Sequence, residues 1–356
     1  MTATRRAFLQ AAAGVGLTSS VSLAGWRPAA AQALPKVRYV SSSPVARPYH
    51  AYLYAGDRAG LHQKIGIQPE FLWIAGSAAT LQLLISGDAD IGNIGILEFI
   101  AAKKRQPTLP LSLIYCHDYR SSYVTVVPVD SPIKSVADLK GKSVGVLSLA
   151  AGTVPTVKAM ARQAGIDPAS IQFVAVGADA AALTALKTGR VDALSFFIGS
   201  VAGLENLGNT FRSFSPDVSS GVFVTSNAFL AKSRDLAVRG LQGIALSTRF
   251  AQLNPTAAAR NYYAMFQQPT GDRDKALRDD VHAIEKTLTI FKQPNDGRQW
   301  GELTEADWGK LIAFAGPEFG LKPEDTKYSD FFNGSLVADV NKVDMILAET
   351  AAKSAQ

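Results

Sequence analysis

Apolar and polar positions between residues 66 and 192 occur twice in the same order. The first stretch runs Gly66-Ile67-Gln68-Pro69, Phe71, Leu81, Leu84, Gly87, Asp90; the second runs Gly165-Ile166-Asp167-Pro168, Phe173, Leu183, Leu186, Gly189, Asp192. From Phe71/Phe173 to Asp90/Asp192 the offset is a constant 102 residues, and only the turn ahead of the phenylalanine differs in length. Shared order and register over that distance define one structural unit used twice. Within each unit Leu81, Leu84 and Ile85, or Leu183 and Leu186, are one helical turn apart, and Gly87 and Gly189 fall where a helix ends in a left-handed residue. Residues 70–74 and 172–176 are short apolar runs that predict strands covered by helices.

Strands alternating with helices argue for parallel sheets, and a repeat of this length argues for two sheets, so the predicted fold class is α/β in two lobes. Between the copies, residues 131–146 predict a turn, a short helix stopped by Gly141 and a strand over 143–147. The β-branched runs 123–129 and 221–225 are the expected crossings between lobes. Beyond Asn227 the pattern turns helical, with helices expected over 236–253, 255–266, 277–288, 304–315 and 336–352, packed around the first lobe. The expected boundaries are a leader over 1–33, lobe one over 34–123, lobe two over 124–223, and completion of lobe one over 224–356.

A chain of 356 residues exceeds one small core. With 47% hydrophobic and 19% charged residues it is neither disordered nor fibrous. The net charge of +6 loses meaning once the first segment is set aside. Residues 1–33 hold three arginines and no acid, leaving 33 Lys+Arg against 30 Asp+Glu, too weak an excess for a nucleic-acid partner. That segment places Arg5-Arg6 before Phe8-Leu9, an Ala- and Gly-rich apolar stretch, and Ala31-Gln32-Ala33 as a cleavage site. It resembles a twin-arginine export signal, which implies a soluble periplasmic protein. Cys116 is the only cysteine, so no intramolecular disulfide forms.

The export segment, Gly76-Ser77-Ala78-Ala79-Thr80 entering a helix, Ser86-Gly87-Asp88-Ala89-Asp90-Ile91-Gly92, Asp138-Leu139-Lys140-Gly141-Lys142-Ser143-Val144-Gly145-Val146 and Gly189-Arg190-Val191-Asp192-Ala193 follow one another in the chain. Together they resemble the substrate-binding proteins of bacterial ABC importers, in the branch of nitrate, sulfonate, taurine and thiamine-precursor binders. The resemblance implies two lobes joined by two hinge crossings that close on a small molecule like a flytrap, a permease partner in the inner membrane, and no chemistry on the ligand. A monomer without cofactor is expected.

Helix N-termini at the carboxyl edge of a parallel sheet favour anions. Two are visible, at Gly76-Ser77-Ala78 and at Ala151-Gly152-Thr153, where simple capping by Ser77 or Thr153 is the competing reading. The long loop after the first strand offers Ser43, Arg47 to clamp an acid and Tyr49 to stack on a ring. Asn93, and Ser195 with Phe196, occupy equivalent edge positions in the two copies, and Tyr123 and Arg120 lie near the first crossing. These residues favour a sulfonate or aromatic carboxylate as ligand; a neutral heterocycle such as a thiamine-precursor pyrimidine is the alternative, as is a pyrimidine-precursor synthase on the same fold, with His62 and Lys64 as its candidate residues. Trp73 reads as core, Asp90 and Asp192 as a repeated turn, and Cys116-His117-Asp118 as neighbours that do not form a catalytic pair. The four histidines have no metal-ligand spacing.

Overall fold

The computed structural model describes residues 33–355 except Pro294 and Asp296; the expected leader with Arg5-Arg6 lies outside them. Ten strands form two separate five-stranded sheets among the described residues. In chain order the strands are β1 (Lys36–Ser41), β2 (Gln68–Trp73), β3 (Ile91–Gly95), β4 (Leu111–Cys116), β5 (Tyr123–Pro128), β6 (Ser143–Val146), β7 (Gln172–Ala175), β8 (Ala193–Phe197), β9 (Phe211–Phe214) and β10 (Gly221–Ser226). The first sheet has the order β2-β1-β3-β10-β4 and the second β7-β6-β8-β5-β9. Each therefore takes one antiparallel strand that follows the other lobe's last strand: β5 follows β4 into the second sheet and β10 follows β9 back into the first.

The sequence repeat is a repeat of register. Tyr39 on β1 pairs with Phe71 and Ile91, and Val144 on β6 pairs with Phe173 and Ala193, in the same parallel arrangement. Asp90 and Asp192 close the unit in the same way. Asp90 accepts the Arg38 backbone N–H at 2.8 Å while its own N–H donates to the Arg38 carbonyl; Asp192 does the same with Ser143, also at 2.8 Å. Each carboxylate thus fixes the start of β3 or β8 against the neighbouring strand, which is the structural role expected of them. Gly87 and Gly189 have φ of +79° and +71°, the left-handed values that end helices Ser77–Ser86 and Asp179–Lys187.

Leu81, Leu84, Leu183 and Leu186 are buried beneath those helices, each worth about 1.5–3 kcal/mol when removed from water. Ile85, expected on the same face, is 40% exposed. The second sheet has its own core of Val127, Leu139, Val144, Val157, Met160 and Ala193.

Three expectations change. The runs 123–129 and 221–225 are sheet strands; the crossings are the segments ahead of them, 117–122 and 215–220, which leave the pleated ladder and are polar. The helix expected over 236–253 starts at Asn227, where the Ser226 side chain caps the Phe229 N–H, and it kinks at Ser233. The helix expected over 336–352 is broken into Gly334–Leu336, Val337–Val340 and Ile346–Ser354.

The C-terminal helices do not serve the first lobe alone. Helix Arg273–Leu288 packs on helix Ile198–Asn206 of the second lobe, and Glu305–Ala315 on Thr153–Gln163. Polar ties reinforce both flanks: Asn206 donates to the Asp279 carbonyl at 2.9 Å, Lys286 pairs with Glu205, and Arg162 pairs with Glu318.

Candidate functional site

Parallel strands deliver the chain to one edge of each sheet, and the helices that follow β3 and β8 begin there. At the third position of these helices, Ile96–Arg105 and Ile198–Asn206, stand Glu98 and Ser200, equivalent under the 102-residue offset. Each meets a tyrosine of the opposite lobe. The Tyr123 hydroxyl, on β5, donates to Glu98 Oε1 at 3.5 Å, and the Tyr49 phenol lies beside Ser200. Two glycines make the approach possible. A β-carbon at Gly152 would lie 2.6 Å from Glu98 Oε1 and 2.8 Å from the Tyr123 hydroxyl; one at Gly199 would lie 2.6 Å from the Tyr49 ring. The lobes meet with their own side chains filling the seam.

Electrostatics in the seam are one-sided. Burial pushes the Glu98 carboxyl up, against hydrogen bonds from its own backbone N–H and from Tyr123. The Glu98 charge, together with burial, holds the Tyr123 phenol well above its ordinary value, so it remains a donor. Glu98 Oε2 is buried with no hydrogen-bond partner, and so is Thr153 Oγ1 at the start of helix Thr153–Gln163.

The first lobe contributes a wall of rings. His50 stacks on Trp73 at 5.0 Å and meets Tyr49 edge-on at 4.7 Å; Tyr49 in turn lies 5.2 Å from Phe197. The Arg47 N–H donates to His50 Nδ1 at 3.1 Å, which leaves the ring proton on Nε2. Burial and the nearby Arg47 charge bring His50 down to about 3, so the ring is neutral near pH 7. Trp73, expected to be core, is only partly buried, yet its Nε1 is shielded and unpartnered.

The expected site residues separate into two groups. Gly152 and Thr153 are buried at the seam, Ala151 is half-buried beside them, and Tyr49 and Tyr123 make the cross-lobe contacts. Arg47 is exposed on the rim, where its charge acts on Asp280. Gly76 and Ala78 are exposed and Ser77 half-buried; no side chain caps this helix, and a β-carbon at Gly76 would meet open space.

Other side chains are engaged elsewhere. Ser43 donates to the Val45 carbonyl at 2.8 Å, a local turn. The Asn93 amide is taken by the Tyr52 hydroxyl at 2.9 Å and the Val222 carbonyl at 3.3 Å. Ser195 accepts from Thr125 at 3.1 Å, and Phe196 is buried in the core while its neighbour Phe197 reaches Tyr49. Strand alternation explains the last exchange: one residue's shift turns the ring from core to seam. Glu98, His50 and Phe197 escaped the sequence reading, although an acid in the first turn of a helix, matched by Ser200 in the second copy, was a visible signal for Glu98.

The crossings hold a separate polar cluster. Asp118 accepts from Ser220 at 2.8 Å, Ser220 accepts the Ser122 N–H at 2.7 Å, and His117 Nδ1 lies 3.1 Å from Asp118. Burial raises Asp118 and lowers His117, each opposed by the other's charge. The Cys116 thiol is buried and pushed up to about 12, and its sulfur points at the Asp118 carbonyl. Arg120 is exposed. His62 is buried beneath helix Asn227–Leu253, with neither ring nitrogen hydrogen-bonded. No group of three or more potential metal ligands occurs among the described residues, and among them no helix is long and apolar enough to cross a membrane. A cavity of about 550 Å³ lies away from the seam, between Arg162, Asp217, Lys310 and Phe314.

Two sheets of matched register, linked by two crossings and facing one another through helix N-termini, define a periplasmic-binding-protein fold. The chain belongs to the NMT1/THI5-like family, whose profile matches residues 47–258. A protein of Bordetella bronchiseptica RB50 superposes with a TM-score of 0.63 at 20% identity, over 87% of this chain and 99% of that one. The periplasmic aliphatic sulphonate-binding protein SsuA of Escherichia coli superposes at 0.61 with 17% identity, over 82% and 96%. The desulfurization enzyme DSZB shares the fold at 0.52 and 15% identity, over 86% and 98%. No curated protein matches the sequence.

Proposed function

We propose that this protein is the solute-binding component of an ABC importer. Exported to the periplasm and cleaved near Ala33, it captures one small organic solute between its lobes as a monomer and presents the closed form to a membrane permease. The observation that supports this reading most directly is the reciprocal pairing across the seam, Glu98 with Tyr123 and Gly152, Tyr49 with Ser200 and Gly199. Side chains of both lobes meet where a guest would replace their contacts, so a solute binding there stabilises one relative position of the lobes over others. The lobes, 34–123 with 224–356 and 124–223, move about the crossings 117–122 and 215–220. The work is binding, with release to the permease, and involves no bond-making step.

Titration calorimetry with a panel of sulfonates, carboxylates and nitrogen heterocycles, paired with small-angle scattering, tests the reading. One-to-one binding with a ligand-dependent change in the scattering profile is expected. Absence of both across the panel counts against it, and turnover of any solute by purified protein replaces it with an enzyme.

A further inference from the structure

The first backbone N–H of each seam helix is held by a residue of a crossing. Ile96, which opens helix Ile96–Arg105 of the first lobe, donates to the Ser220 carbonyl at 2.8 Å; Ile198, which opens helix Ile198–Asn206 of the second, donates to the Ser122 carbonyl at 2.8 Å. Each bond extends a strand pairing by one residue, Gly95 with Gly221 and Phe197 with Tyr123, so the same join is made twice. The first amides of a helix have no partner inside it, and these two take theirs from the crossings.

The two carbonyls belong to serines that bond each other. The Ser122 N–H donates to Ser220 Oγ at 2.7 Å, and the two hydroxyl oxygens lie 2.8 Å apart. Ser220 in turn donates its one hydroxyl proton to Asp118 Oδ2 at 2.8 Å, which leaves its lone pairs to Ser122. An ionised carboxylate only accepts, so Asp118 fixes the direction of the chain of bonds. Gly221 makes room for it: a β-carbon there would stand 2.4 Å from Asp118 Oδ2, and the Gly221 carbonyl accepts the N–H groups of His117 and Asp118 at 3.2 and 3.3 Å. Asp118, Ser122 and Ser220 are 2%, 5% and 7% exposed, so water competes little for these bonds.

We propose that Ser122 and Ser220, oriented by Asp118, are positioning residues that bind the two crossings into one hinge and carry a displacement of one seam helix to the other. Glu98 and Ser200, each two residues beyond the anchored amide, then move together. Two independent strands would let either helix start shift alone; a shared hydrogen-bonded pair does not. The use of this linkage in solute capture rests on the importer reading, whereas the linkage itself is measured without solute.

The test is amide hydrogen exchange by NMR on the wild-type chain and on Ser220→Ala, Ser122→Ala, Asp118→Ala and Asp118→Asn. Ser220→Ala removes one hydroxyl from the second crossing, yet exchange at Ile198 in the second lobe, bonded to the first crossing, is expected to rise tenfold or more while strand β6 of that lobe stays within twofold of the wild type. Ser122→Ala, which keeps the backbone donor, gives a smaller rise, read at Ile96. Asp118→Ala speeds exchange at both amides, and Asp118→Asn, which retains an acceptor oxygen, restores part of the protection. Exchange at Ile198 that is unchanged in Ser220→Ala, or that rises no more than in β6, overturns the linkage and leaves the importer reading standing. If Ser220→Ala does not fold, Ile96 in Ser122→Ala decides by the same comparison with β6. A chain that shows the linkage but binds no solute of the panel keeps the hinge and loses the importer reading.

Discussion

The Tyr123 hydroxyl on the second lobe stands 3.5 Å from the Glu98 carboxylate on the first, across a glycine that leaves no room for a side chain. The contact between the two lobes depends on that glycine. Gly152 has φ −60° and ψ −16°, a helical conformation open to any residue, so Gly152→Ala leaves the backbone unstrained. Its methyl carbon, 2.6 Å from Glu98 Oε1, forces the lobes apart or the carboxylate aside. Overpacking of this kind costs about 1–3 kcal/mol, so solute affinity should fall about tenfold or more. The melting of the lobes themselves should change little, and scattering of the variant should show a more open profile.

Asp192 ties β6 to β8 through the Ser143 N–H and hydroxyl, both at 2.8 Å. Burial opposes its ionisation, but those two hydrogen bonds and Lys142 outweigh burial and hold its carboxyl below the ordinary value. A depressed folded value means that its stabilisation is present above the unfolded value of about 3.9 and is lost as pH falls through the folded one. Asp192→Asn should therefore lower the melting temperature at pH 6 and converge with the wild type near pH 3. Asp90→Ala, which also strands Arg38, should be the more damaging of the two equivalent substitutions, by about 1–3 kcal/mol in chemical denaturation.

Burial lowers two histidines, His62 to about 4 and His50, with help from Arg47, to about 3. In the unfolded chain both titrate near 6.5. Between those limits the unfolded state binds more protons, so stability is full above pH 6.5 and declines as pH falls toward 4. Nitrogen-detected NMR should show neither ring titrating above pH 5. Replacing His62 by Gln should flatten the acid decline of the melting temperature relative to the wild type.

The C-terminal helices act as a third link between lobes. Arg162 pairs with Glu318, whose side chain is only 8% exposed, and Lys286 pairs with Glu205 on the opposite flank. Arg162→Ala leaves the Glu318 carboxylate buried without its cation, so a cost at the upper end of about 1–3 kcal/mol is expected, larger than for an exposed pair. Spin labels on the two lobes should report a broader distance distribution in this variant, while the helical content stays constant.

Much of the site's frame was readable along the chain. Phe71 and Phe173, Asp90 and Asp192, and the paired helix-ending glycines recur at one spacing, and the strands they accompany have the same register in both sheets. That legibility has a local cause: strand alternation, helix periodicity and left-handed glycines are properties of a few consecutive residues. Asn93 and Ser195 mark the limit. They reach the correct sheet edges, but whether their side chains meet a ligand or a neighbouring strand depends on Tyr52, Thr125 and Val222, which lie 41, 70 and 129 residues from their partners.

The chain by itself determined the α/β class and the doubled unit, because each is written in short-range pattern. Only the tertiary structure decided which side chains face one another across the lobes. Glu98 reads as an ordinary acid in the first turn of a helix until the second lobe brings Gly152 and Tyr123 to it. The shielding of its Oε2, and its hydrogen bond from Tyr123, come from the meeting of residues more than twenty positions apart, which no local pattern encodes.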